Sequence, residues 1–147
     1  MKINTRHFGE IEINENEIIN FPDGLLGFED IKKYILINSP DPEVPFQWLQ
    51  SVDEPNLAFV VTSPFLFKSD YEFDIPQNVV EKLEIEKTED VMIYSIAVVP
   101  DDIKDMTINL KGPIIINTKT NRAKQIVLED DKYTLKYKIF ENIKKIG

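Results

Sequence analysis

The chain has 147 residues, 26 of them acidic and 17 basic, and its formal net charge at neutral pH is −9. This length suits a single domain, and 42% hydrophobic residues supply enough apolar surface for a core, which argues against disorder. The excess of acid argues against DNA or RNA as a direct ligand, because phosphate binding needs clustered lysines and arginines. It favours a basic protein partner instead.

Short blocks rich in isoleucine, valine, phenylalanine and tyrosine are separated by prolines, asparagines and acidic pairs, a spacing typical of strands. The predicted strands, in chain order, are residues 10–13, 17–21, 34–38, 46–51, 58–62, 71–75, 91–99, 106–110, 114–117, 124–129 and 134–140. Some of these strands alternate polar and apolar residues. The segments at 91–99 and 114–116 are apolar almost throughout and should lie at the centre of a sheet, covered on both sides. The sequence therefore predicts an all-β fold, a single antiparallel β-barrel-like domain.

Two segments predict short helices that would not organise the fold. Residues 29–33 follow Gly27 and fit one helical turn, and residues 77–85 follow Pro76, a residue that favours the start of a helix. The three prolines within residues 40–45 remove amide hydrogens that a strand ladder needs. This last segment is therefore predicted to be a loop.

Charge is distributed unevenly along the chain. Residues 41–105 carry 15 acidic side chains against four lysines, a net charge of −11. Residues 111–124 carry four basic side chains and no acidic one, and residues 132–147 carry five lysines against Glu141. The local field of the acidic middle should therefore be stronger than the total charge suggests.

Residues that could carry catalytic or metal chemistry are few. The chain has no cysteine and one histidine, His7, which excludes disulfides, thiolate metal sites and sites with several histidines. Ser51 and Ser63 lie in no nucleophile motif, and the acidic clusters at 101–105 and 129–131 lack the spacing and glycine of a calcium loop. We therefore predict a protein that is not an enzyme and has no catalytic, metal-binding or cofactor-binding residue.

The amino-terminal residues are charged and polar, with no apolar run behind them. No apolar stretch of the chain is long enough to cross a bilayer. We therefore expect a cytoplasmic protein that does not bind membranes.

An acidic strip is predicted within residues 70–75. If Tyr71 and Phe73 point into the core, the two-residue period of a strand places the carboxylates of Asp70, Glu72 and Asp74 together on the outer face. Two interpretations stay open at this point. The charges either protect a sheet edge from pairing with other chains, or they form a docking strip for a basic protein.

Several blocks of the chain, taken in order, resemble the flagellar assembly factor FliW family. They are Phe-Pro-Asp-Gly-Leu-Leu-Gly-Phe-Glu at 21–29, Pro-Phe-Gln-Trp-Leu-Gln-Ser-Val-Asp at 45–53, Leu-Ala-Phe-Val-Val at 57–61 with Pro64, Tyr-Glu-Phe at 71–73, Asn-Leu-Lys-Gly-Pro-Ile-Ile-Ile-Asn at 109–117 and Gln-Ile-Val-Leu at 125–128. No single block is specific, but the ordered set is, and it extends from about residue 3 to residue 140. Gly112 departs from the family pattern, which more often has alanine there.

The resemblance implies a non-enzymatic cytoplasmic protein with an antiparallel β-barrel-like domain at residues 1–140 and a carboxy-terminal tail at 141–147. It also implies two partners. Proteins of this family bind the RNA-binding translational repressor CsrA and prevent it from silencing flagellin mRNA. They also bind flagellin, so that secretion of flagellin frees them to relieve repression. We expect a monomer when the protein is free, and no direct contact with nucleic acid.

The repressor contacts are predicted from charge. A protein that binds RNA presents a basic surface, on which an acidic strip can dock while repelling RNA phosphates. The predicted repressor-binding residues are Asp70, Glu72 and Asp74, with Asp101, Asp102 and Asp105 as weaker candidates. The resemblance directly supports only the neighbourhood of Tyr71 and Phe73, and the sequence does not locate a surface for flagellin.

Two other classes of function compete with this interpretation. A small-ligand-binding β-barrel or an enzyme of unknown specificity could use Trp48, Tyr71 and Tyr94 to line one mouth of the barrel. Direct RNA binding could use Tyr133 and Tyr137 among the lysines of the last basic segment. It ranks last, because aromatic residues in a strand-like region more often belong to a core or an edge.

Overall fold

Short extended segments make up most of residues 1–140, the part of the chain that this computed structural model describes. The strands of this part are β1 (Lys2–Thr5), β2 (Gly9–Glu12), β3 (Ile19–Asn20), β4 (Lys33–Asn38), β5 (Phe46–Ser51), β6 (Ala58–Thr62), β7 (Val91–Val98), β8 (Thr107–Ile108), β9 (Ile114–Asn117), β10 (Arg122–Gln125) and β11 (Tyr137–Lys138). Its one α-helix is α1 (Gln77–Lys82), and single 3-10 turns lie at Glu15–Glu17, Pro64–Leu66, Thr88–Asp90 and Ile103–Asp105.

Seven of these strands close into a barrel. Their order around it is β7-β6-β5-β4-β3-β10-β9, and β9 returns to β7 through the pairs from Tyr94 with Ile114 to Val91 with Asn117. β8 and β11 extend the sheet beside the end of β7. Among the described strands every pair is antiparallel except β3 with β10. The predicted all-β, barrel-like fold is therefore confirmed, with one parallel pair added.

The interior of the barrel is apolar and closely filled. Phe21, Tyr34, Leu49 and Val61 are each no more than 1% exposed and belong to one cluster. The rings of Phe21 and Tyr34 meet edge to face, with centroids 5.2 Å apart. The Tyr34 hydroxyl has no hydrogen-bond partner within residues 1–140, and burial raises the pKa of Tyr34 to about 12. The barrel lumen is therefore a packed core.

One carboxylate fixes α1 to the barrel. Asp23 accepts a hydrogen bond from Lys124 Nζ of β10 at 2.8 Å and another from Lys82 Nζ at the end of α1. These two ammonium groups lower the pKa of Asp23 to about 2. The neighbouring Gly24 has a φ of +66° and no room for a side chain, because a Cβ atom there would lie 2.6 Å from Glu29 Cα.

The strands with the strongest apolar patterns are where the sequence predicts them. Six predicted strands are confirmed to within one residue at each end, namely those at 10–13, 34–38, 46–51, 58–62, 91–99 and 114–117. The helix after Pro76 is also confirmed but ends at Lys82, and the proline-rich segment 40–45 is a loop between β4 and β5.

The predicted helical turn at residues 29–33 is wrong. Phe21 N donates a hydrogen bond to Lys32 O at 2.8 Å, and Lys33 pairs with Asn20 across β3 and β4. These contacts hold the end of the segment at the sheet, where β4 begins at Lys33, and residues 29–30 form only a turn.

Other differences arise where a strand depends on its partner. The predictions at 17–21, 106–110 and 134–140 shrink to the two-residue strands β3, β8 and β11, and the prediction at 124–129 moves to β10. Strand β1 was not predicted, because Ile3 is its only apolar residue. It pairs with β2, and Ile3 packs in a cluster with Ile35 of the barrel. The tail predicted at 141–147 lies outside the described residues.

Candidate protein-binding surface

The acidic strip lies on a segment that is not a strand. Residues 71–75 pair with no other strand in the described part of the chain, so the predicted strand there is wrong. Burial nevertheless alternates as the two-residue period requires: Tyr71 is buried, Phe73 and Ile75 are half-buried, and Glu72 and Asp74 are exposed. The side chains at positions 70, 72 and 74 therefore point to solvent.

Two buried tyrosines hold this segment in place of a strand ladder. The Tyr71 hydroxyl donates to Leu110 O at 2.6 Å. The Tyr133 hydroxyl accepts from Glu72 N and donates to Glu72 O, both at 2.9 Å, and the two tyrosine rings stack edge to face with centroids 4.7 Å apart. Burial raises the pKa of Tyr71, so its hydroxyl remains a donor. The backbone that carries the acidic strip is thus anchored at its centre.

The three carboxylates differ in how far their charge is neutralised. Asp70 forms an ion pair with Lys68, with 3.0 Å between Oδ1 and Nζ, and this hydrogen bond lowers the pKa of Asp70. Glu72 and Asp74 form no ion pair with any described residue. The charge that the strip offers to a partner therefore comes mainly from these two residues.

Two grooves flank the segment. The first, which we call the acidic groove, has a volume of about 450 Å³, and its lining includes Glu72, Asp74, Glu129, Asp130, Lys132 and Tyr133. The second, which we call the apolar groove, has a volume of about 760 Å³. Its apolar lining includes Phe65, Phe73, Ile75, Val80, Ile85 and Met92. Carboxylates and apolar side chains thus meet along one short stretch of backbone.

The second group of predicted acidic residues lies elsewhere. Asp101, Asp102 and Asp105 are exposed in the connection between β7 and β8. Asp102 Oδ1 accepts a hydrogen bond from Lys104 N at 3.1 Å and so caps the 3-10 turn that follows. These three aspartates line neither groove, and no hydrogen bond or ion pair of the described residues joins them to Asp70, Glu72 or Asp74. Direct contacts therefore do not link the two groups.

Sequence reasoning missed three acidic residues beside the strip. Glu129 and Asp130 line the acidic groove, and Glu86 lies on the rim of the apolar groove. The run at 129–131 stands out in the sequence as an acidic cluster, but nothing in the sequence places it beside residue 72. The hydrogen bonds between Tyr133 and the backbone of Glu72 bring the two segments together.

The aromatic residues of the competing interpretations are not arranged for those functions. Trp48 packs against Phe8 of the β1–β2 hairpin with ring centroids 5.2 Å apart, Tyr71 belongs to the cluster around Tyr133, and Tyr94 lies in the barrel core. Among the described residues, Tyr71 and Tyr94 line different grooves, and Trp48 lines none of these. Tyr133 is only 4% exposed and Tyr137 is half-buried, so neither offers a free ring face for stacking on bases.

The remaining polar candidates have structural partners. His7 lies on the surface with its ring 6.3 Å from that of Trp48, and buried Ser51 Oγ accepts a hydrogen bond from Glu54 N at 2.9 Å. Within residues 1–140 no three histidine, aspartate or glutamate side chains are grouped so that they could hold a metal ion. No helix in this part of the chain is long and apolar enough to span a membrane.

Comparisons with known proteins agree on one family. The family model described as FliW protein matches residues 2–139. A protein of Alkaliphilus metalliredigens named flagellar assembly factor FliW is 55% identical over 99% of this chain and 90% of its own length, and one of Treponema denticola with the same name is 40% identical over 100% and 99%. A crystal structure of the flagellar assembly factor FliW superposes with a TM-score of 0.89 at 39% identity, covering 95% of this chain and 97% of that one. The chain belongs to the FliW family.

Proposed function

We propose that this protein acts in flagellar assembly as a non-enzymatic, cytoplasmic regulator that sequesters the translational repressor CsrA and also binds flagellin. Capture of the repressor relieves the silencing of flagellin translation, and secretion of flagellin frees the protein for this capture. The names of the relatives support the role in flagellar assembly. The observation that supports capture of an RNA-binding protein is the pair of unneutralised carboxylates, Glu72 and Asp74, on a segment anchored by Tyr133.

The charge of this surface explains how capture would oppose RNA binding. Carboxylates attract the lysines and arginines of an RNA-binding surface, and they repel the phosphates that those side chains would otherwise bind. The free charges of Glu72 and Asp74 act first on the rate of encounter, since exposed rim charges mainly change association rates. Sequestration should therefore weaken as salt rises.

Reversal of one charge tests this proposal. Glu72→Lys should weaken the complex with purified CsrA by about tenfold at low salt, mainly through slower association, while the melting temperature stays the same. The matched control is Glu15→Lys, because Glu15 is also exposed, forms no ion pair in the described chain and lines neither groove.

The measurements are surface plasmon resonance at low and high salt and size-exclusion chromatography with CsrA, with flagellin and with RNA alone. Complexes with both proteins and none with RNA would support the proposed function. An unchanged dissociation constant for Glu72→Lys would remove the acidic strip from the repressor interface. Binding of RNA alone, or of neither protein, would overturn the function itself.

A further inference from the structure

Strand β7 has a free edge at its beginning. On one edge of β7 the pairing with β6 begins only at Ser95, which lies opposite Thr62. On the other edge, β7 pairs with β9 from Val91 onwards. On the β6 side, residues 91–93 therefore have no strand partner among the described residues. These residues line the apolar groove. An exposed strand edge of this kind offers N–H and C=O groups to another chain.

A second segment that lines the apolar groove also carries free backbone groups. Glu72 directs its N–H and C=O groups to Tyr133. In an extended chain, alternate residues direct these groups to opposite edges, so Phe73 and Ile75 direct theirs away from Tyr133. Neither Phe73 N nor Ile75 N has a hydrogen-bond partner within residues 1–140. Both residues line the apolar groove.

The side chains of the apolar groove indicate what would fill it. Phe65 and Met92 are 43% and 44% exposed, so large apolar surfaces lie open to solvent there. The rim carries the carboxylates of Glu72, Asp74 and Glu86 against the single lysine of the lining, Lys87, and of the three carboxylates only Glu86 is ion-paired, with Lys119. Apolar walls with an acidic rim complement a segment that carries both apolar and basic side chains.

We infer that the apolar groove binds an extended segment of a partner protein, in which apolar and basic side chains alternate, as an added strand. Its backbone pairs with the free groups of Val91 and Ile93 and with those of Phe73 and Ile75, its apolar side chains fill the groove, and its basic side chains reach Glu72 and Asp74. A helical segment would leave the backbone groups of the groove unpaired, since a helix satisfies its own. The inference rests on the proposed function, because it specifies how a basic partner is held.

The test uses a short synthetic peptide in which lysine and valine alternate. Isothermal titration should detect binding, and nuclear magnetic resonance should show amide shifts concentrated at Phe73, Ile75 and residues 91–93. The same peptide with N-methyl groups on alternate residues keeps every side chain but loses donors along one edge, and it should bind at least tenfold more weakly, or about 1.4 kcal/mol. Replacing its lysines by glutamates should abolish binding.

A pair of protein variants separates the groove from the surface around it. Phe65→Glu should weaken peptide binding by about tenfold, whereas Leu66→Glu should not, because Leu66 is 64% exposed and does not line the apolar groove. The inference would be overturned if the unmodified and the N-methylated peptides bound with equal affinity, or if the unmodified peptide did not bind. Amide shifts confined to residues outside the groove would also overturn it. A dimer in sedimentation that Phe65→Glu dissociates would assign the groove to a second copy and also overturn it. Because CsrA and flagellin binding are measured separately, the proposed function can survive such a failure.

Discussion

The hydroxyl of Tyr133 should support both the stability of the domain and the presentation of the acidic strip. In Tyr133→Phe the ring stays in its cluster, but the two hydrogen bonds to the backbone of Glu72, both 2.9 Å long, are lost. Each neutral hydrogen bond contributes about 0.5–1.5 kcal/mol, and water can partly replace it because Glu72 is exposed. We expect a loss of about 1–2 kcal/mol in the free energy of unfolding, or a melting temperature lower by about 2–8 °C.

Urea unfolding monitored by circular dichroism measures this loss, and the affinity for CsrA measures its effect on the strip. Without its central anchor the segment must be ordered on binding, so the repressor should bind several-fold more weakly. The matched control is Tyr137→Phe, because the Tyr137 hydroxyl lies 3.5 Å from Phe67 O, too far for a strong hydrogen bond. Equal unfolding free energies for the two variants would refute the assigned role of Tyr133.

Two further predictions concern the turn that holds α1. Gly24→Ala should lower the free energy of unfolding by more than about 2 kcal/mol, because a Cβ atom there would lie 2.6 Å from Glu29 Cα. The control is Gly9→Ala, at a φ of +65° with open space around it, which should lower this free energy by about 1 kcal/mol. Urea unfolding measures both variants. The pKa of Asp23 is about 2 in the folded protein against 3.8 ordinarily, so its contribution to stability is present above pH 4 and is lost as the pH falls towards 2. Asp23→Asn should therefore flatten the dependence of unfolding on pH between 4 and 2, and an unchanged slope would contradict this role.

Local patterns were sufficient where a segment's own side chains decide its structure. β5 and β6 are rich in aromatic and β-branched residues, and their predicted and observed bounds coincide. The proline-rich loop at 40–45 follows from the missing amide hydrogens of proline. Prediction failed where a distant partner decides the structure. At residues 29–33, pairing with β3 makes Lys33 the start of β4, and at residues 71–75 tyrosine hydroxyls replace a ladder.

The sequence by itself determined the all-β class, the ordered family blocks, the acidic middle and the outward direction of the carboxylates at 70, 72 and 74. These features depend on composition and on a two-residue period, which act locally. Only the tertiary structure decided that residues 71–75 have no strand partner, that Glu129 and Asp130 lie beside them, and that a free edge of β7 faces the apolar groove. The reason is that hydrogen-bond partners and groove walls come from segments distant along the chain, whose meeting depends on the closure of the barrel.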